Sequence, residues 1–159
     1  MRRREQGFSL IELLIVVAII LIIAAIAIPN FIRARISANE ASAVTSMHAV
    51  STAEIGYSTT YPAVGFSVAL SDLGDGGVGS CPATPTAACF LDASLASGQK
   101  SGYKFAYVQD ATYTPSLGYT FNGDPAYYGL TGLQSYFIDQ TNIIRYAAPG
   151  PANSGSPPL

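Results

Sequence analysis

The feature that most constrains this chain is an apolar run close to its N-terminus. Residues 13–28 are sixteen consecutive apolar residues. The longer stretch 8–28 is interrupted only by Ser9 and Glu12. About 20 apolar residues are enough for a helix to cross the hydrocarbon core of a bilayer. The run therefore predicts a single membrane-spanning helix in a chain of 159 residues.

The charges that flank the run predict its orientation. Arg2, Arg3 and Arg4 precede it, and the next cation along the chain is Arg33. Positive residues favour the cytoplasmic side of a membrane. We therefore expect a single-pass protein of the inner membrane, with a cytoplasmic N-terminus and with the remainder of the chain outside.

Two ordinary segments share this pattern: a cleaved signal peptide and a plain signal anchor. The first would use Ala25 and Ala27 as a small-x-small cleavage site. Neither explains Glu12, because a carboxylate within an apolar span costs about 2.5–3.5 kcal/mol at the bilayer centre and less near the interface. An acidic residue at such a position indicates a function.

The residues around Glu12 resemble a known motif. The run Gly7-Phe8-Ser9-Leu10-Ile11-Glu12 is similar to the cleavage and methylation motif of type IV prepilins and pseudopilins. The resemblance implies cleavage after Gly7 by a prepilin peptidase, which removes a leader of residues 1–7. It also implies N-methylation of Phe8 by the same enzyme and a role for Glu12 in assembly.

The resemblance implies a function as well. The chain would wait in membrane lipid, contact an inner-membrane assembly platform and polymerise with its own copies as a subunit of an extracellular type IV pilus. A periplasmic pseudopilus of a type II secretion system is the alternative. A membrane-anchored minor pilin that binds a surface or DNA is an alternative of another class.

Cleavage would change the charges at the membrane edge. The leader carries three Arg and one Glu, so its removal changes the net charge from −2 to −4 and creates an α-amino group on Phe8. An amine and a carboxylate in lipid are each costly unless they pair. Glu12 lies four residues away, within reach of the same chain or of a neighbour, and the resemblance favours the neighbour.

The sequence after the run predicts that the helix continues. The stretch 8–55 contains no Gly and one Pro, Pro29. Apolar residues then recur at helical spacing, at positions 36, 43, 47, 50 and 57. We expect one helix over 8–57, kinked at Pro29, with a transmembrane half at 8–28 and an amphipathic half at 29–58.

The remainder predicts a small head at 59–147. Alternating aromatic and smaller residues predict strands at 102–108, 117–122, 135–139 and 143–146, with Asn142 at a positive φ in the last hairpin. The fold class is α+β, a long helix packed on an antiparallel sheet, as in pilins. Cys81 and Cys89 predict a disulfide outside the cytoplasm. The proline-rich segment 148–159 predicts a mobile tail.

Several function classes find little support in the composition. One His, His48, and two Cys do not provide the ligands of an ordinary zinc site. No arrangement of acid, base and nucleophile predicts an enzyme, and no cofactor or metal site is expected. The cations of the head are Lys100, Lys104 and Arg145. We therefore expect no strong binding of nucleic acid.

Overall fold

A computed structural model describes residues 8–75 and 83–159. A long helix comes first, followed by a short 3₁₀ turn, a one-turn helix and five strands. Their bounds are α1 Leu10–Thr60, the 3₁₀ turn Leu70–Leu73, α2 Ala93–Ala96, β1 Gln99–Lys100, β2 Tyr103–Gln109, β3 Tyr119–Pro125, β4 Ser135–Asp139 and β5 Arg145–Ala147. The predicted α+β class is confirmed.

Helix α1 agrees with its prediction to within three residues at each end. It remains continuous through Pro29, and the Asn30 side chain donates a hydrogen bond to the Ile26 carbonyl at 3.1 Å. The predicted kink at Pro29 stays a prediction. The lack of glycine over 8–55 explains the length of the helix, because glycine is the residue that most weakens a helix interior after proline.

The chain divides into two units after Arg35. In the first unit, the large apolar side chains of α1 are exposed on every face, from Leu10 at 79% exposed onward. The second unit, Ile36–Leu159, contains the remainder of α1 and the whole sheet. This second unit is called the head below.

The five strands form one antiparallel sheet in the order β1-β2-β3-β4-β5. Strands β2 and β4 were predicted almost to the residue, while β3 begins two residues later and runs three residues further than its alternation predicts. The prediction missed β1 and placed β5 two residues early. Asn142 has the expected positive φ of 59°, in a turn closed by its N–H on the Asp139 carbonyl.

The core of the head lies between α1 and one face of the sheet. The helix contributes its predicted apolar stripe, with Met47 and Val50 fully buried. The sheet contributes Phe121 and Ile138. Gly123 in β3 lets the helix approach closely, because a Cβ there would lie 2.5 Å from the Met47 Cε atom.

The C-terminal segment packs against the sheet, which differs from the mobile tail that its prolines predict. Ala152 is buried, and its carbonyl accepts a hydrogen bond from Asn122 at 2.9 Å. The Tyr146 N–H donates to the Pro157 carbonyl at 3.0 Å, and the Leu159 N–H to the Ile144 carbonyl at 2.9 Å. Proline lacks an N–H but keeps its carbonyl, so a proline-rich segment can still accept bonds from an edge strand.

Candidate assembly site

Glu12 lies in the first turn of α1 and caps the helix. Its Oε2 atom accepts a hydrogen bond from the Ser9 N–H at 3.0 Å. Ser9 directly precedes the helix, so this contact is one half of a capping box. A carboxylate in the first turn also interacts favourably with the helix dipole. Glu12 therefore accepts a hydrogen bond within its own chain, and its spacing of three residues from Ser9 is the sequence signal of such a cap.

The peptide bond at which cleavage is expected lies directly before this cap. Phe8 is largely exposed, whereas Gly7 is outside the described residues. Among the described residues, Oε1 of Glu12 has no hydrogen-bond partner. The first turn therefore holds a carboxylate with one oxygen in use and one available, close to the position at which cleavage would create an amine.

The helix that follows is suited to a membrane by length and composition. Among the described residues, α1 is the one helix that is long and apolar enough to cross a membrane, with a mean hydropathy of 3.3 over 18 residues. None of that window is buried within the chain. A helix that is apolar all round needs lipid or other helices to cover it.

A second carboxylate, Glu54, is buried in the head, and sequence analysis missed it. Its side chain is fully buried. Oε2 accepts from the Ser67 N–H at 3.0 Å, and Oε1 accepts from the Ser67 hydroxyl at 2.5 Å. The sequence does indicate its burial, because Glu54 lies four residues after Val50 and three before Tyr57, on the apolar stripe of α1.

Burial sets the electrostatics around Glu54. Loss of water raises the pKa of Glu54 above its ordinary value, and the hydrogen bonds from Ser67 oppose that shift. Burial also raises the pKa of Tyr107, whose hydroxyl donates to the Ser67 carbonyl at 2.9 Å. Glu54, Ser67 and Tyr107 thus join α1 to the loop that follows it and to β2. The arrangement is structural, since it is closed to solvent.

The remaining sequence candidates are spread over the head. His48 is exposed on α1 beside Phe90. Within 8–75 and 83–159, no three His, Cys, Asp or Glu side chains are grouped to hold a metal ion. Cys89 is held beside the 3₁₀ turn by its N–H bond to the Gly74 carbonyl at 2.9 Å. Cys81 lies outside the described residues, so the pairing of Cys81 with Cys89 stays a prediction.

Comparison with known proteins finds similarity over a minor part of the chain. Residues 2–28 match the family model of the prokaryotic N-terminal methylation motif. Over 51 residues the chain is 55% identical to the type IV major pilin protein PilA of Myxococcus xanthus, which covers 32% of this chain and 23% of that protein. Over 38 residues it is 60% identical to the type IV wide pilus major component PilA4 of Thermus thermophilus. That alignment covers 24% of this chain and 29% of the relative.

These alignments span about a quarter of the length of the two relatives. No solved structure matches the chain. The matched residues include Gly7, Phe8 and Glu12, on which the resemblance rests, and the resemblance is thus confirmed. The chain thus carries the prokaryotic N-terminal methylation motif and has the α+β fold that the resemblance to type IV pilins implies.

Proposed function

We propose that this chain is a structural subunit of a type IV pilus, made as a prepilin and polymerised through its N-terminal helix. The observation that carries the proposal is the first half of α1, which exposes apolar side chains on every face and holds a carboxylate in its first turn. Lipid covers such a helix before assembly, and helices of neighbouring subunits cover it afterwards. Both matched relatives are major pilus components, which favours a pilus over a secretion pseudopilus.

Processing precedes assembly in this proposal. A prepilin peptidase of the inner membrane cuts between Gly7 and Phe8 and methylates the new N-terminus. The cut leaves the apolar helix attached, so the mature subunit stays in the membrane until an assembly platform extracts it. Removal of Arg2, Arg3 and Arg4 also removes the charges that hold the leader on the cytoplasmic side.

Glu12 makes assembly conditional on processing. In the uncut chain residue 8 carries an amide N–H, whereas the mature chain carries a cationic amine there. One oxygen of Glu12 caps its own helix at Ser9, and the other pairs with the Phe8 amine of an adjacent subunit. Breaking a buried ion pair by removal of one partner costs about 3–5 kcal/mol, which is enough to prevent polymerisation.

Substitution of Glu12 tests the proposal and separates its two roles. Glu12→Leu inserts into the membrane as well as the wild type and is still cut, but it yields few or no surface filaments. Glu12→Gln keeps an acceptor for the Ser9 N–H and loses the charge, so it also fails to polymerise. Glu12→Asp gives an intermediate yield, because its arm is shorter. The measurement compares the membrane pool with sheared surface filaments by immunoblot.

The outcomes distinguish the alternatives. Normal filaments from Glu12→Leu would show that the carboxylate has no role in assembly, and normal filaments from Glu12→Gln alone would reduce that role to capping. A wild-type chain abundant in sheared fibres is a major pilin. A chain found in trace amounts at fibre tips, or in the periplasm only, would instead indicate a minor binding pilin or a pseudopilin.

A further inference from the structure

The connection between β3 and β4 exposes an uncharged apolar surface. Residues 126–134 contain no charged side chain. Four large side chains of this segment are exposed: Tyr127, Tyr128, Leu130 and Leu133. Apolar side chains gathered at one place on a surface are typical of an interaction site, whereas single ones are ordinary. These four residues are called the knob.

The backbone beneath the knob is fixed by hydrogen bonds to α1. The Asn39 side chain donates to the Thr131 carbonyl at 2.9 Å. Oε1 of Glu40 accepts from the Leu133 N–H at 2.8 Å. The polar groups of the segment therefore turn inward, and its apolar side chains turn out. A surface that is already fixed loses little conformational entropy when it binds.

A groove of about 430 Å³ lies on the exposed face of α1 in the same head. Its lining consists of small or uncharged residues of α1 and one aromatic ring: Thr45, His48, Ala49, Thr52, Ala53 and Phe90. Thr45, His48 and Thr52 are exposed, and they alternate along α1 with the buried Met47 and Val50 that face the sheet. The groove thus opens on the side of the helix away from the sheet.

The hydrogen-bonding groups of knob and groove are complementary. Tyr127 is 69% exposed, and its hydroxyl has no hydrogen-bond partner among the described residues. Thr45 and Thr52 donate their hydroxyl hydrogens to carbonyls of their own helix, each at 2.9 Å. Their oxygen lone pairs remain free to accept. A tyrosine O–H is a donor and meets this need.

The apolar parts are complementary as well. The lining offers the partly exposed methyl group of Ala49 and the half-exposed ring of Phe90, with the buried Ala53 beneath them. A tyrosine ring packs favourably against another aromatic ring in an edge-to-face or offset arrangement. The four side chains of the knob and the six that line the groove include no Asp, Glu, Lys or Arg, so contact between these side chains buries no charge of those residues.

We propose that the knob of one subunit inserts Tyr127 into the groove of a neighbouring copy, a contact between heads that rests on the proposed pilus function. Both surfaces are exposed on a single head at the same time, so the knob does not cover the groove of its own chain and is available to that of a second copy. Two different surfaces that meet form a heterologous contact, which repeats from copy to copy and generates an open polymer when the rotation between copies does not close into a ring. The contact adds to the bundling of N-terminal helices.

Site-specific photocrosslinking in filaments of the full chain tests the contact. The photoreactive residue p-benzoylphenylalanine replaces Tyr127, and sheared filaments are irradiated and mapped by mass spectrometry. We expect crosslinks to the peptide that contains residues 45–53 or to Phe90. Mixing of isotope-labelled and unlabelled subunits shows that these crosslinks join two copies. Tyr113, which is 60% exposed in a different loop, is the matched control and gives no crosslink to the groove.

A charge exchange provides an independent test. Tyr127→Glu and Thr52→Lys each lower the yield of surface filaments and leave the membrane pool unchanged, and the double variant restores the yield. Crosslinks from position 127 to lipid, to another protein or to a different segment would overturn the contact while the pilus function stands. A wild-type chain that is absent from surface filaments would overturn the pilus function and the contact together.

Discussion

At the scale of single residues, Glu54 shows how the head joins its parts. A carboxylate without solvent is costly unless hydrogen bonds compensate it. Ser67 provides two such bonds, from its N–H and its hydroxyl. The pair ties α1 to the loop that leaves it, at a point where neither residue is exposed. Glu54 therefore links stability to pH.

Glu54→Gln is predicted to flatten the pH dependence of stability. Burial raises the pKa of Glu54 in the folded state, so the folded chain holds its proton more tightly than the unfolded chain does. Stability then decreases as the pH rises from the ordinary value near 4.5 through the folded pKa, and it levels off above. Thermal unfolding of the full chain in detergent, measured from pH 4 to 8 in steps of about one unit, resolves this slope.

Thr60→Ala is the control for that experiment, since Thr60 is exposed at the end of the same helix and has no group that titrates between pH 4 and 8. Its slope remains that of the wild type. An unchanged slope in Glu54→Gln would show that Glu54 does not couple stability to pH. Glu54→Ala measures what the two hydrogen bonds contribute to stability. It leaves the Ser67 N–H and hydroxyl unpaired, so we expect the free energy of unfolding to decrease by about 1–3 kcal/mol.

Gly123→Ala is predicted to lower the stability of the head. The new Cβ would lie 2.5 Å from the Met47 Cε atom and 2.8 Å from the Phe105 Cε1 atom. The end of the Met47 side chain can move, but the Phe105 ring can move less. We therefore expect the free energy of unfolding to decrease by about 1–3 kcal/mol. Gly155→Ala, near the C-terminus, is the control and changes the melting temperature little. Equal melting temperatures for the two variants would contradict a tight approach of helix and sheet at Gly123.

At the scale of elements, the sequence predicted those parts whose signal is periodic. Helix α1 has a long run without glycine and a stripe at helical spacing, and β2 alternates over seven residues. Strand β1 has two residues, too few for alternation to appear. The C-terminal segment was predicted to be mobile because its prolines lack backbone N–H donors. The prediction was wrong because the carbonyl of Pro157 still accepts a hydrogen bond from the sheet.

The loop that leads to α2 is predicted to be closed by a disulfide between Cys81 and Cys89. Closure of a nine-residue loop contributes about 2–3 kcal/mol in the chain-entropy model. Peptide mapping of the exported chain without reductant finds the two cysteines in one linked species, and reductant separates them. Two free thiols, or linkage only between chains, would contradict the prediction.

At the scale of the whole molecule, the assembly site was predictable in part. Gly7, Phe8 and Glu12 fall in one short motif, so the sequence located them directly. Glu54 and the knob depend on contacts between residues that are distant along the chain, such as Glu40 with Leu133. A pattern in one segment carries no information on such contacts. The cap on Ser9 was missed although the spacing of Ser9 and Glu12 is the sequence signature of a capping box.

The mature chain is predicted to begin at Phe8. The small Gly7 lies between a basic leader and the apolar run, where a peptidase at the cytoplasmic face can reach it. Mass spectrometry of the membrane pool identifies a methylated Phe8 as the first residue. Gly7→Val blocks the cut by its bulk, and Gly7→Ala slows it. A chain that began at Ile28 would indicate signal-peptide processing after Ala27 and would exclude this model of assembly.

The distribution of tyrosine gives the head its own optical reporter. All ten tyrosines lie at or beyond Tyr57, and the chain has no tryptophan. The ultraviolet absorption of the protein therefore arises chiefly from the head, even when the apolar helix is in lipid. Burial raises the pKa of Tyr119 and of Tyr136 to about 12. In an alkaline titration, the late ionisation of these buried phenols reports the folded head, and its disappearance marks unfolding of the head without any label.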